Sequence, residues 1–179
     1  MQKLPVHWPQ FYTATILEWK FLLHEEMYKD IIMSSLSYLV KNDKIKLFAF
    51  VIMSNHIHLI WQALPENTPE KIRLSFMKFT AQQIKFQLIK DNPGYLNKFK
   101  VDKKDRAFQF WKRNAMSIDL FTEKVFLQKL QYIHNNPVKA GMCKFPEEYK
   151  YSSANTYNGG EDQFTSLLVK IPTKAFSGE

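Results

Sequence analysis

With 179 residues, 45% hydrophobic and 23% charged, the chain can fill one packed core and is too apolar for low-complexity disorder. Lys plus Arg exceed Asp plus Glu by 25 − 17 = +8, a surplus that favours a polyanionic partner. The lone cysteine, Cys143, excludes an intramolecular disulfide and any zinc site of several thiolates, and fits a reducing cytoplasm. The longest apolar run, Leu47 to Met53, is far short of a membrane span, and no signal-peptide layout opens the chain, so a soluble, unexported protein with no membrane partner is expected. No repeat, linker or composition shift divides residues 1–179, which read as a single domain with a core over about 10–157 and a C-terminal tail over about 160–179.

Phe11 to Trp19, rich in aromatic and β-branched residues, reads as a strand. Glu25 to Lys41 follows with Met27, Ile31, Leu36 and Leu39 at helical spacing, and Asn42-Asp43 breaks it. Lys44 to Met53 and His56 to Trp61 are β-rich runs parted only by Ser54-Asn55, which predicts a hairpin of two buried strands. Thr68-Pro69-Glu70 combines an oxygen-bearing cap, proline at the first helical position and an acid at the positive dipole end, so a helix should run to about Lys90 with Ile72, Phe76 and Phe79 inward. Asn92-Pro93-Gly94 stops it. Phe108 to Trp111 is the next candidate strand, and Thr122 can cap a last helix that Asn136-Pro137 closes. Strand, helix, two strands, helix, strand, helix suits an α+β domain: an antiparallel sheet with helices packed on one face.

Three features bear on chemistry. His56 and His58 flank Ile57 in a strand, so both imidazoles point to one face and can share a metal ion or simply line a polar surface. A third histidine of a histidine-triad hydrolase would fall at Ile60, and H-E-x-x-H is absent. Tyr132 lies about 100–160° around the helix from the apolar stripe of Phe126, Leu130 and Ile133, which leaves it off the core face beside Asn136. Its alternatives are a solvated surface tyrosine or a nucleophile. Lys98 to Arg113 concentrates seven cations, Lys98, Lys100, Lys103, Lys104, Arg106, Lys112 and Arg113, against Asp102 and Asp105, either as a solvated loop or as a cationic track. Cutting a nucleic-acid strand through a protein hydroxyl requires a nucleophile, a Lewis acid at the phosphate and a cationic track, and these features supply all three. Nitrogen and oxygen donors suit magnesium or manganese.

The stretch FAFVIMSNHIHLI (Phe48–Ile60) and the block YIHNNPVKAG (Tyr132–Gly141) resemble the two signature motifs of the single-tyrosine HUH transposases, in particular the REP-associated tyrosine transposases. Lys78-Phe79-Thr80-Ala81 and YKYSS (Tyr149–Ser153) fit the same pattern, whereas Lys112 and Ala115-Met116 stand where many members carry glutamine and aromatics. The resemblance implies a ferredoxin-like α+β fold, His56, His58 and Asn136 as ligands of Mg2+ or Mn2+, and Tyr132 as the nucleophile. It further implies cleavage and joining of single-stranded DNA beside hairpins through a 5′-phosphotyrosine, by a monomer or a homodimer. The basic segment and the helix over residues 69–90 are then the expected DNA track, with Phe99 and Tyr95 as candidates to stack on unpaired bases. Two rivals share the motifs in part: a catalytically silent hairpin-binding module, and a metal-dependent hydrolase of a small phosphorylated substrate.

Overall fold

The computed structural model describes residues 6–171. Strand β1 (Gln10–Thr15) is followed by helix α1 (Glu26–Lys41), strands β2 (Ile45–Ile52) and β3 (His56–Ala63), helix α2 (Pro69–Asp91) and a short helix α3 (Pro93–Leu96). A small hairpin of β4 (Lys100–Lys103) and β5 (Arg106–Phe108) precedes strand β6 (Met116–Asp119), helix α4 (Glu123–Lys139) and one turn of helix, α5 (Ala154–Tyr157). The main sheet has the order β2-β3-β1-β6, with every neighbouring pair antiparallel. With the β4–β5 hairpin set aside, β1-α1-β2-β3-α2-β6 is the ferredoxin-like β-α-β-β-α-β succession.

Alternation along the strands divides the core in two. Tyr12 and Ala14 of β1, with Ile57, Leu59 and Trp61 of β3, face α1 and α2, whose buried stripes include Ile32, Leu36, Ile72 and Phe76. Phe11 and Ile60 face the other way and meet Phe126, Leu130 and Ile133 of α4. The expectation of helices on one face therefore holds for α1 and α2, while α4 covers the opposite face. A register shift between Leu47 and Ala49 lets β2 send Phe48 and Ala49 to the α4 side, where Phe48 meets Phe126 edge to face at 5.6 Å.

Several boundaries depart from the pattern, each for an identifiable reason. β1 stops at Thr15 because Glu18 and Trp19 adopt left-handed backbone angles, φ 55° and 57°, that no strand allows. The fourth strand is Met116–Asp119 rather than Phe108–Trp111; it pairs with Gln10–Thr13, and Trp111 makes only an isolated bridge to Ile16. On α1 Met27 is exposed and Tyr28, Ile32 and Met33 are buried instead. On α2 Phe79 is 44% exposed, and Thr80 takes the inward place because Phe76 O and the Trp111 indole satisfy its hydroxyl at 2.8 and 3.0 Å. α4 continues through Asn136-Pro137 to Lys139, with Pro137 buried as the fourth member of the stripe. Gly141, φ 69°, then ends the helix, its N–H donating to Val138 O at 3.0 Å. Residues 149–153 seal the free edge of β2 through Ile52 N–H to Tyr151 O and Ser153 N–H to Phe50 O. The first part of the expected tail also packs: Phe164 and Leu167 are buried and Val169 N–H donates to Leu47 O, while the part after residue 171 lies outside the described residues.

Ile133 is fully buried between α4 and the sheet. Ile133→Ala should lower unfolding stability by about 2–5 kcal/mol in urea titration, since a cavity adds to the lost burial. A loss below about 0.5 kcal/mol would contradict this packing.

Candidate active site

The hairpin turn at Ser54-Asn55 is stitched to the end of β1 by Ile16 N–H to Asn55 O and Leu23 N–H to Ser54 O, which fixes where β3 begins. From there His56 and His58 point to the α4 face, with ring centroids 4.8 Å apart. His58 is 4% exposed, stacked on Phe11 at 5.4 Å, and hydrogen-bonded through Nδ1 to Thr13 Oγ1 at 2.7 Å. Thr13 is its cross-strand partner. His56 Nδ1 meets Asn55 Oδ1 at 2.7 Å. An amide oxygen only accepts, so Nδ1 of His56 carries the proton and Nε2 keeps its lone pair.

α4 brings the remaining groups over this pair. Thr122 caps the helix, its hydroxyl accepting from Val125 N–H, and the stripe from Phe126 to Pro137 sets its rotation. Tyr132, 41% exposed, lies edge-on to His58 at 5.1 Å and to Phe11 at 5.9 Å. Asn136, one turn on, hydrogen-bonds His56. His56, His58, Tyr132 and Asn136 are thus brought together on one side of the sheet.

Burial dominates the electrostatics. It lowers the His58 pKa to about 3, helped by His56 and Lys129, and it lowers that of His56, opposed by the hydrogen bond that the protonated ring donates to the Asn136 amide oxygen. Both rings are neutral at pH 7 and keep lone pairs for a cation. Among the described residues no three of His, Cys, Asp and Glu converge, so a third protein donor at this place must be of another kind. The Asn136 amide oxygen is the candidate for it, and two imidazoles with one amide oxygen would leave positions open on a divalent ion for water and phosphate oxygens. Thr13 and Asn55 hold the Nδ1 sides in the manner of the outer groups that orient metal-binding histidines.

Three further residues at this face, one of them the lysine of the YIHNNPVKAG block, were given no role from the sequence. Lys129 and Lys139 place their ammonium groups 5.9 and 5.8 Å from the Tyr132 ring centroid. Their spacing of −3 and +7 from Tyr132 puts them on its helix face, which was a detectable cue. Trp19 sets its ring 6.0 Å from His56 and carries Lys112 over it, a placement that depends on the left-handed turn. The basic segment is not gathered at the histidines. Phe99, Phe108 and Phe110 anchor it on the α2 side, where Lys98 lies over Tyr95 and Arg106 pairs with Asp105; Lys100, Lys103 and Lys104 are exposed on the small hairpin. Lys112 alone of the seven cations touches the histidine face, through Trp19, and Arg113 follows it in the chain. Phe99 is 0% exposed and cannot stack on a base, because it fills the core between Tyr95 and Phe110.

Buried neutral histidines make a pH prediction. His134, held by Ser153 Oγ at 2.9 Å, is also depressed by burial, to about 4. The unfolded chain takes up protons near pH 6.5, whereas His58 and His134 stay neutral in the fold until about 3 and 4. The unfolded state therefore binds more protons as pH falls from 6.5 towards 4, and each group removes about 1.4 kcal/mol of stability per pH unit there. Urea midpoints measured from pH 7 to 4.5 should fall, and His134→Gln should flatten the slope by its share. An unchanged slope would contradict the burial described.

No protein-family model matches the chain. A protein of Haemophilus influenzae assigned as a REP-associated tyrosine transposase is 31% identical over 107 residues, which span 59% of this chain and 56% of that relative. The match thus spans little more than half of the curated relative. The structure of a REP-associated tyrosine transposase bound to a REP hairpin superposes with a TM-score of 0.60 at 16% identity, covering 99% of this chain and 94% of that one. A protein of Deinococcus radiodurans assigned as a transposase superposes at 0.50 and 17% identity, over 75% and 97% of the two chains. Both likenesses show the fold, and no helix among the described residues is long and apolar enough to cross a membrane. In sequence and in fold, then, the chain resembles the REP-associated tyrosine transposases.

Proposed function

We propose that the chain is a metal-dependent single-stranded DNA endonuclease and strand transferase acting beside hairpins, with Tyr132 as nucleophile and His56, His58 and Asn136 as ligands of Mg2+ or Mn2+. The observation that carries this reading is the placement of Tyr132 5.1 Å from His58 while Asn136, on the same helix face, bonds His56. The curated relative and the hairpin-bound structural neighbour support the substrate class.

The Tyr132 hydroxyl oxygen bonds to the scissile phosphorus and the P–O3′ bond breaks. The phenolic proton leaves to water, and the departing 3′ oxygen takes a proton up. The products are a 5′-phosphotyrosine and a free 3′-hydroxyl, and rejoining runs the same exchange in reverse with another 3′ end. Lys129 and Lys139, set about the Tyr132 ring, bring positive charge to the place where the phosphate must approach. Thr13 and Asn55 fix the imidazole orientation, and Phe11 walls one side of His58 against water. A bound divalent ion supplies Lewis-acid neutralisation of the phosphate charge.

Incubating the protein with labelled hairpin DNA that carries single-stranded flanks, then running a denaturing gel, tests the reading. A covalent protein–DNA band should need Mg2+ or Mn2+, vanish with chelator and be absent in Tyr132→Phe. Retention of the hairpin with no adduct under either metal would instead identify a silent binding module. Thr13→Val should weaken metal affinity about 10- to 100-fold by releasing the His58 ring. An unaltered manganese titration in that variant would remove Thr13 from the site.

A further inference from the structure

At about 100° per residue, the buried stripe of α4 separates two flanks of the helix, with Tyr132 and Asn136 on one and His134 on the other. Apolar burial is non-directional, so the stripe decides which side of α4 meets the sheet but resists a small roll about the helix axis only weakly. At a side-chain radius of about 5–6 Å, a roll of about 20° carries the Tyr132 ring by about 2 Å. It moves His134 as far, one flank approaching the sheet as the other lifts.

His134 is bonded where such a movement is felt. Its Nε2 meets Ser153 Oγ at 2.9 Å. Ser153 is 1% exposed and is itself fixed on β2, its Oγ accepting from Phe50 N–H at 3.1 Å and its N–H donating to Phe50 O at 3.0 Å. The hydroxyl proton is left for His134 Nε2, the nearer of two acceptors, since Phe50 O lies at 3.3 Å. Tyr157 backs the imidazole with its ring centroid 5.1 Å away, and its own hydroxyl donates to Phe48 O at 2.9 Å. Tyr157 N–H to Ser153 O closes residues 153–157 into a bracket around the ring.

The bracket stands on the strand that is laddered to the histidines. Phe50 pairs with Leu59, and the next residue, Val51, with His58. A hydrogen bond of 2.9 Å does not survive a displacement of about 2 Å, so the His134–Ser153 bond opposes the roll that the apolar stripe permits.

We propose that His134 and Ser153 are positioning residues for strand cleavage: their hydrogen bond stops α4 from rolling and so holds the Tyr132 hydroxyl in line with the phosphate at the histidine face. The proposal rests on the tyrosine-nuclease reading and gives the setting of the attack geometry to a pair on the far flank of the helix from the metal site. A misplacement of about 1 Å at a reacting atom costs about 100-fold in rate, so the effect falls on the chemical step rather than on DNA binding.

The test is single-turnover adduct formation at saturating Mn2+ over a range of hairpin DNA concentrations, on the full chain below the unfolding temperature of every variant. Nuclear Overhauser contacts from the Tyr132 ring to the Phe11 and His58 rings, without DNA or metal, give a second reading. Ser153→Ala and His134→Leu should each slow the maximal rate about 10- to 100-fold, keep the half-saturating DNA concentration within about twofold, and weaken the ring contacts. His134→Gln, whose amide oxygen takes the place of Nε2 as acceptor, should stay within about threefold of wild type and keep them. The Ser153→Ala/His134→Leu double variant should be no slower than the slower single one, because the same bond is lost in each. A lower unfolding midpoint with an unchanged maximal rate, ring contacts that persist in Ser153→Ala, or equal losses in His134→Gln and His134→Leu overturns the positioning role and leaves the nuclease reading standing. A wild type that forms no adduct overturns the nuclease reading instead, and the ring contacts still decide whether the bond holds Tyr132 in place.

Discussion

Every functional distance in the molecule depends on the docking of α4 against the sheet face that carries the histidines. The stripe Phe126, Leu130, Ile133 and Pro137 is buried, and at 3.6 residues per turn its burial leaves the helix a single rotation. That rotation puts Tyr132 and Asn136 at the rim rather than in the core or the solvent. Phe11 and Phe48 are the sheet's side of the contact, and Phe11 also stacks on His58, so packing and positioning are one interaction. The register shift in β2 contributes by turning Phe48 towards Phe126.

The period of two along β1 then separates two tasks. Phe11 and Thr13 serve the histidine face, while Tyr12 and Ala14 serve the helix layer. Placing two imidazoles on the face that α4 covers lowers their proton affinity, and this keeps their lone pairs available at neutral pH. The same burial makes the fold sensitive to acid. Free imidazole lone pairs at neutral pH and acid lability thus have one physical origin in this molecule.

Much of the fold was legible in the chain because local signals agreed. The Ser54-Asn55 turn between two apolar runs, the Thr68-Pro69 helix start and the Thr122 cap each lie where the pattern puts them. The face of the two histidines followed from strand alternation, and the off-core setting of Tyr132 from helix angles. What the chain did not reveal depends on tertiary partners. Thr80 turns inward only because Trp111 reaches it, Pro137 stays helical because its ring completes a buried stripe, and β6 forms where β1 offers a free edge. The basic segment showed its charge but not its address: Phe99 draws it to the helix layer, away from the histidines, and removes Phe99 itself from any contact with DNA.

The central claim is that the face bearing His56, His58 and Asn136 holds a divalent cation beneath Tyr132. Side-chain NMR of the full chain during a manganese titration tests it most directly, because paramagnetic broadening reports distance to the ion without requiring DNA or turnover. The His56 and His58 imidazole and Asn136 amide signals should broaden at substoichiometric Mn2+, ahead of His7, His24 and His134. Broadening that begins at another histidine, or proceeds equally at all of them, would contradict the claim.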